Sequence, residues 1–512
     1  MIVIITPVGT FFVENFGCRA TQADGAAMER DLLEKGLTRA PATAQAELVV
    51  LNTCTVTTSA DHDARATIRR IHRENPTARI IVTGCYAQRA PGELASLPGV
   101  TLVVGNSHKS QLAHIAVERA AFVPVAALKV AQNSACALGS DAKTWQDEQA
   151  PAEIIVGDIF AHTELTAAPV FEANNGADTG EKTRPNLKVQ DGCNNRCSFC
   201  IIPFVRGKSR SLKPEQVLAS VRQLVSAGYR EIVLSGVNLG RWGRDLPPHQ
   251  DAQQARSWIA GAEGSGEGAA ERMRFAGLLR VILAETGIEK IRISSVEPMD
   301  WSDELIDLAA SSARICKHAH VPLQSGSDRI LRQMHRRYRP WHYVDRILKI
   351  RRAMPDAAIG ADVMVGFPGE TDDDFEQTRA LIENLPLTYL HVFTYSSRPG
   401  TPSAAMPAQI PGDVAHERNR ILRELAAGKK RQFKERFIGR VLQAITLSHV
   451  DRAPLGAADP DRQEGRTEAL TDNYQKLWVE GIHAANLAVQ ARIVGIEGEA
   501  LIGQLLGKSA PS

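Results

Sequence analysis

Cys193, Cys197 and Cys200 stand together in the stretch Asp191-Gly-Cys193-Asn-Asn-Arg-Cys197-Ser-Phe-Cys200, a C-x3-C-x2-C loop that directly follows a candidate strand. Three thiolates on one short loop can hold three irons of a [4Fe-4S] cluster and leave the fourth iron open. The amino and carboxylate groups of S-adenosylmethionine would chelate at that open iron. Structural zinc is the competing reading. A closed zinc site takes four ligands, and no fourth Cys or His lies within a few residues of this loop.

A second set of thiols emerges only when the chain is read as elements. Cys18, Cys54 and Cys85 each fall close to the C-terminal end of an expected strand. In a parallel sheet those ends share one edge, so residues far apart in sequence converge there. Free cysteines are often simply buried in cores, which is the alternative. All three, however, sit in polar, turn-forming contexts: Gly17-Cys18-Arg19, Thr53-Cys54-Thr55 and Gly84-Cys85-Tyr86. That favours a second metal cluster. Cys136 and Cys316 have no partner at ligand spacing and are read as ordinary cysteines.

The elements that must position these thiols follow from periodicity. Residues 1–120 alternate strand and helix, with strands expected at Thr10–Phe16, Glu47–Asn52, Arg79–Thr83 and Thr101–Val104 and helices at Asp24–Lys35 and Ala60–Glu74. Asp24 is expected to cap the first helix and Gly36 to end it. Residues 121–182, rich in Ala, Gly, Thr and Asp, read as a linker. From 183 to 411 the strand, loop and helix pattern recurs, with strands at Asn186–Gln190, Glu231–Ser235, Lys290–Ser294, His318–Leu323, Ala361–Val365 and Tyr389–Thr394. That spacing predicts a β/α barrel or an open part of one. An insert at 246–270 reads as a solvated loop. A charged helical connector at 412–436 leads to 437–507, where the apolar runs Val441–Leu447, Lys476–Val479 and Ala488–Ile493 suggest a small β domain interrupted by a polar loop at 451–467.

Bulk properties limit the choices. At 512 residues the chain exceeds what one core supports, so two or three domains are expected. The 60 Lys and Arg against 58 Asp and Glu exclude a globally basic nucleic-acid binder, though not local patches. Eight cysteines in so long a chain are too few for a disulfide scaffold. The apolar opening Met1–Phe12 lacks a basic start and a cleavage site and reads as a strand. No run reaches the length needed to span a bilayer, so a soluble, cytoplasmic protein with no membrane partner is expected.

The same segments resemble the methylthiotransferase family of radical S-adenosylmethionine enzymes. The resemblance runs from Asn15-Phe-Gly-Cys18-Arg-Ala-Thr-Gln22, Leu51-Asn-Thr-Cys54-Thr-Val-Thr57 and Val82-Thr-Gly-Cys85-Tyr-Ala-Gln88 to the Cys193 loop and Ile201-Ile-Pro-Phe-Val-Arg-Gly-Lys-Ser-Arg210. It continues through Leu234-Ser-Gly-Val-Asn238, Arg292-Ile-Ser-Ser-Val-Glu-Pro298, His320-Val-Pro-Leu-Gln-Ser-Gly-Ser327, Asp362-Val-Met-Val-Gly-Phe-Pro-Gly-Glu370 and Tyr395-Ser-Ser-Arg-Pro-Gly-Thr401. It implies an α/β protein with an N-terminal parallel α/β domain, a radical S-adenosylmethionine partial (β/α) barrel and a small RNA-binding, TRAM-like C-terminal β-barrel. It also implies two [4Fe-4S] clusters: Cys193, Cys197 and Cys200 would hold the radical-generating one, and Cys18, Cys54 and Cys85 an auxiliary one that supplies or carries sulfur. S-adenosylmethionine, a flavodoxin-type electron donor and a sulfur donor complete the implied set.

Three branches of that family differ in substrate: threonylcarbamoyladenosine in tRNA, isopentenyladenosine in tRNA, and an aspartate of a ribosomal protein. Asn52-Thr-Cys54-Thr-Val-Thr57 and Phe16-Gly-Cys18-Arg-Ala-Thr-Gln22 look like the first. The implied reaction is 2-methylthiolation of threonylcarbamoyladenosine at position 37 of tRNA. The hydrogen on C2 of an adenine is too weakly acidic for any side-chain base, so general acid–base chemistry cannot begin it. A non-catalytic, metal-stabilised RNA-binding protein is the reading from another class.

Around the cofactor, Gly236 and Asn238 suit its methionine end, Ser295 and Glu297 its ribose, and Gly366 a close approach near the adenine, while Phe199 could shield the cluster or stack on adenine. Each has ordinary turn or capping duty as its alternative. Arg206 and Arg210 are read as meeting substrate phosphate or pairing locally. The run Arg332, His335, Arg336, Arg337 and Arg339, with Arg346, Lys349, Arg351 and Arg352, reads as a solvated helix face before an RNA patch. The segment from Lys429 to Arg440 is the better RNA candidate.

Overall fold

The computed structural model describes residues 9–120, 152–162, 165, 183–247, 272–451 and 465–506. The start of the expected opening strand, Cys136, most of the 246–270 insert and the middle of the 451–467 loop lie outside the described residues. The chain divides into two compact units, 1–166 with 201–207, and 167–200 with 208–512.

In the first unit six parallel strands, β1 (Thr10–Asn15), β2 (Thr38–Arg39), β3 (Leu48–Thr53), β4 (Arg79–Gly84), β5 (Val100–Gly105) and β6 (Glu153–Ile155), form one sheet in the order β2-β1-β3-β4-β5-β6. β3 is buried along its whole length, as a central parallel strand covered on both faces must be. Alternation sends Val49, Leu51, Ile80, Val82 and Val103 to one face, under Ile68 and Ile71 of α2 (Thr58–Glu74). Leu48, Val50, Ile81 and Val104 face the other way, against Met28 and Leu32 of α1 (Arg19–Glu34). Part of the expected linker thus contributes a strand, β6.

The second unit begins with β7 (Asn186–Asp191), β8 (Arg210–Ser211), β9 (Glu231–Gly236) and β10 (Lys290–Ile293), in the order β10-β9-β7-β8 with β8 antiparallel. A second sheet holds β11 (His318–His320), β12 (Ala358–Val365) and β13 (Tyr389–Thr394), all parallel. Single parallel bridges, Ile291 to Ile315 and Ser295 to His320, join the two. The result is an open arc, β7-β9-β10-β11-β12-β13, as the strand spacing predicts. Beyond the connector helix α3 (Gly412–Glu435), the strands β14 (Val441–Asp451), β15 (Arg466–Thr471), β16 (Lys476–Glu480), β17 (Ala488–Glu497) and β18 (Ala500–Leu505) close into a five-stranded barrel. β15 starts within the expected loop. Arg292, fully buried, ties arc to barrel: its Nε donates to Glu231 Oε1 at 2.7 Å and its other nitrogens donate to the Thr471 and Asp472 carbonyls at 3.2 Å. Among the described residues no helix is long and apolar enough to cross a membrane.

Candidate active site

In the first unit, three parallel strands deliver three thiols. Cys54 follows β3 directly, Cys85 follows β4, and Cys18 is the N-cap residue of α1 after the β1 turn. Gly17 adopts φ +103°, and a Cβ there would stand 2.6 Å from Cys54 Cβ, so only glycine lets the Cys18 turn approach that strand end. Burial, with Cys85 and Cys18 close by, pushes the Cys54 thiol up to about 12, against the opposing pull of the Val56 amide and Arg206. A bare Cys54 thiol so placed remains protonated, and bound iron would replace its proton.

The supports of this trio are polar and buried. Asn106 Nδ2 lies 3.6 Å from Cys85 Sγ and donates to the Val205 carbonyl at 2.7 Å. Asp24, buried in the body of α1, takes Arg206 at 2.9 Å and Lys109 at 2.7 Å. Thr55 donates to Asp61 at 2.6 Å, and Arg89 reaches both. Asp24 does not cap α1 as expected, because the helix starts at Arg19 and the carboxylate serves instead as a counter-charge. Of the two readings of Arg206, local pairing holds: it is 1% exposed and bound to that carboxylate.

In the second unit the C-x3-C-x2-C loop leaves β7 at Gly192 and is fastened on both sides. Gln190 Nε2 donates to the Asp191 and Gly192 carbonyls at 2.9 and 2.7 Å, and its Oε1 accepts from the Asn238 amide at 2.7 Å. Ser198 is held by the Gln333 and Met334 carbonyls through its hydroxyl and amide, at 2.7 and 3.1 Å. The sulfurs themselves have donors. Asn195 N and Asn238 Nδ2 lie 3.4 and 3.5 Å from Cys193 Sγ, and Arg336 Nη1 lies 3.3 Å from Cys197 Sγ. Donors aimed at sulfur suit a thiolate, the form that ligates iron. Burial pushes the Cys193 thiol up, with the Asn195 amide opposing.

Around the C-terminal strand ends of the arc, four buried oxygens have no partner among the described residues: Ser235 Oγ, Asn238 Oδ1, Ser294 Oγ and Gln324 Oε1. An unpaired buried polar atom costs about 1–3 kcal/mol, so oxygens gathered at strand ends fit a polar ligand that satisfies them. Among the described residues no three His, Cys, Asp or Glu side chains close on a single ion. The corners of an iron–sulfur cluster hold their thiolates wider apart than the ligands of one ion.

Comparison with known proteins narrows the chemistry. Residues 187–382 match the Radical SAM superfamily and residues 10–105 match a family described as Uncharacterized protein family UPF0004. The chain is 33% identical over 475 residues to "Threonylcarbamoyladenosine tRNA methylthiotransferase MtaB" of Bacillus subtilis (strain 168), spanning 93% of this chain and 91% of the relative. It is 35% identical over 480 residues to the protein of the same name in Aquifex aeolicus (strain VF5), spanning 94% and 99%. The chain belongs to the MtaB-type radical S-adenosylmethionine methylthiotransferase family. The relatives also include a "tRNA-2-methylthio-N(6)-dimethylallyladenosine synthase" of Desulfitobacterium hafniense (strain Y51), 31% identical over 88% of both chains. The radical S-adenosylmethionine methyltransferase TsrM from Kitasatospora setae, solved with cobalamin and a [4Fe-4S] cluster bound, shares the fold at TM-score 0.50 and 15% identity, over 77% of this chain and 76% of that one.

For a methylthiotransferase the other expected residues divide. Asn238 reaches a cysteine sulfur, as above. Gly236 makes room for Gln190, whose side chain would meet a Cβ there at 2.8 Å. Glu297 is bound to Arg336, and Ser295 bridges to the β11 strand beside Ser294. The space at Gly366 is filled by Ala415 of α3, 2.7 Å from where a Cβ would lie, so the close approach it permits is that of the connector helix. Phe199 is half-buried between the last two cysteines. Arg210 is buried 3.8 Å from Asp191, away from solvent. Arg336, expected on a solvated face, is instead buried against Cys197, Glu297 and Tyr338. Ser235, Ser294, Gln324, Gln190 and Asn106 escaped sequence reasoning. The first four lie inside or beside a quoted motif, and Asn106 follows directly on β5; only the fold shows which of these side chains point inward.

Proposed function

We propose that this methylthiotransferase converts threonylcarbamoyladenosine in tRNA to its 2-methylthio derivative. The observation that carries the reading is likeness to MtaB proteins over more than nine-tenths of the chain. Cys193, Cys197 and Cys200 would hold the [4Fe-4S] cluster that binds S-adenosylmethionine, and Cys18, Cys54 and Cys85 a second cluster carrying sulfur. When bound, the first cluster supplies the electron that splits S-adenosylmethionine into methionine and a deoxyadenosyl radical able to take the C2 hydrogen.

The chain's own residues supply position and charge. Asn238 and Arg336 donate to the ligating sulfurs. Ser235, Ser294 and Gln324 offer oxygens to the cofactor's hydroxyl and amino groups, and Glu297, held by Arg336, stands ready for a ribose. A low-potential reductant of the flavodoxin type and a separate sulfur donor act with it in the cytoplasm. The experiment is turnover of purified, reconstituted protein on tRNAs bearing threonylcarbamoyladenosine or isopentenyladenosine, read by nucleoside mass spectrometry. Methylthiolation of the first alone is expected. Turnover only on the isopentenyl tRNA, the activity named for the Desulfitobacterium relative, or only on a ribosomal protein, rejects the reading.

A further inference from the structure

The cationic runs that stand out in the sequence are largely spent within the fold. Arg332 pairs with Asp328, Arg346 and Lys349 with Asp303, and Arg351 donates to the carbonyls of Pro355, Ala357 and Pro386. On the connector and barrel, Lys430 binds Glu499, Arg431 binds Glu435 and Arg440 binds Asp356. A group of arginines that includes Arg337 of those runs is left over. Arg241 and Arg244 lie on the turn after β9 and share one carboxylate, Asp300, at 2.8 and 3.1 Å. The Met273 carbonyl lies 2.4 Å from where a Cβ on Gly243 would stand, and the Arg274 Cα lies at 4.0 Å, so the backbone at Met273 packs on that turn and brings Arg274 beside it. Arg337 adjoins the same group: Arg336, directly before it, binds Glu297, whose carbonyl accepts from the Asp300 amide at 2.9 Å. In keeping with that crowding, burial first, and then Arg241, Arg274 and Arg337, hold the Arg244 guanidinium below its usual range, with Asp300 opposing. Arg272, two residues before Arg274, is also exposed.

Among the described residues neither Arg274 nor Arg337 has a carboxylate partner, and both are exposed. Asp300 is buried and already shared. The one exposed acid on the turn, Asp245, is engaged by the amide and hydroxyl of Ser211 at 2.8 and 2.6 Å. Two features say what this surplus faces. The group contains arginines and no lysine, and planar guanidinium forks match phosphate oxygens two at a time. It also borders the cysteine loop by chain connectivity on both sides. Arg241 is three residues past Asn238, which touches Cys193 Sγ, and Arg337 directly follows Arg336, which touches Cys197 Sγ.

We propose that Arg244, Arg274 and Arg337 form a phosphate-binding rim beside the cysteine loop that grips the sugar-phosphate backbone of the RNA substrate next to the reacting nucleoside. This rests on the tRNA reading above. Such contacts position the substrate without reading its bases, and each releases counterions, so binding weakens with salt.

The test is fluorescence anisotropy of the reconstituted full-length protein with threonylcarbamoyladenosine-bearing tRNA across a salt series. The R244E/R274E/R337E variant is expected to bind about tenfold or more weakly, and the slope of log affinity against log salt should fall by about one for each phosphate no longer neutralised. Its iron content and tRNA-independent cleavage of S-adenosylmethionine should match wild type. R352E/R423E, two exposed arginines elsewhere on the same unit, should stay within about twofold, since distant exposed charges are screened. R274A and R337A singly should each lower the slope by about one even if the triple variant is unstable. Wild-type affinity and slope in the rim variants, or an equal loss in R352E/R423E, overturns the rim while leaving the tRNA reading intact. A wild-type protein that binds no tRNA at any salt overturns both.

Discussion

Arg336 shows how much one side chain carries here. Its guanidinium is buried beside Cys197 Sγ, Glu297 and the Tyr338 ring, so it couples a proposed cluster ligand to a group proposed for the cofactor ribose. A cation donating to thiolate draws electron density from the cluster and makes reduction easier. R336Q is therefore expected to shift the cluster's reduction potential in the negative direction, seen in a potentiometric titration followed by electron paramagnetic resonance. Activity should fall about 10–100-fold. An unchanged potential would mean that the contact serves packing alone. The Cys193 loop stood out as a candidate because spacing alone constrains what three thiols on one loop can hold. Arg336 was not, because in sequence it is one cation among Arg332, Arg337 and Arg339. Only burial separates it from its solvated neighbours.

At the scale of elements, turns after strands do the positioning. G17A would place a methyl group against Cys54 with the backbone at φ +103°. It should cost about 1–3 kcal/mol and lower iron content toward half, measured by thermal unfolding and iron analysis. In the second unit, Asp374 joins the helix-capping Thr371 to Ser327 at the start of the neighbouring helix, with hydrogen bonds of 2.6 Å from each hydroxyl, and also takes Arg329. Burial opposes its charge, yet Arg329, Ser327 and Thr371 hold its carboxyl well below the usual carboxylate range. A carboxyl depressed on folding stabilises above its unfolded value and loses that contribution as pH falls. D374N should therefore cost about 2 kcal/mol in chemical unfolding between pH 8 and 5.5, and the gap from wild type should narrow below about pH 4. The arc strands were readable because short strand-like segments recur between helical stretches at the spacing of a β/α repeat, even where, as in Asn186–Asp191 and Lys290–Ile293, charged residues alternate with apolar ones. β6, β15 and β18 escaped because each is short or lies beside a polar segment, and partner strands rather than local pattern decide them.

For the molecule as a whole, the barrel is held to the arc by buried charge rather than by a broad apolar face alone. Arg292 and Glu231 are 0% and 2% exposed, and the guanidinium also closes two barrel carbonyls. R292M leaves Glu231 buried without its main partner and should cost about 3–5 kcal/mol, with the barrel becoming sensitive to limited proteolysis. E231Q/R292M should recover part of the loss, because the stranded charge is gone; no recovery would place the effect elsewhere. The barrel's presence was legible from its apolar runs, but this clamp was not, since nothing local marks Arg292 as internal.

The most direct measurement is iron and acid-labile sulfide per chain in anaerobically reconstituted protein, for wild type and for two triple alanine variants. Two four-iron clusters predict about eight irons and eight sulfides in wild type, and about four of each in C18A/C54A/C85A and in C193A/C197A/C200A. Only the former variant should still cleave S-adenosylmethionine. Four irons in wild type with no decrease in C18A/C54A/C85A, or zinc without sulfide, would contradict the account.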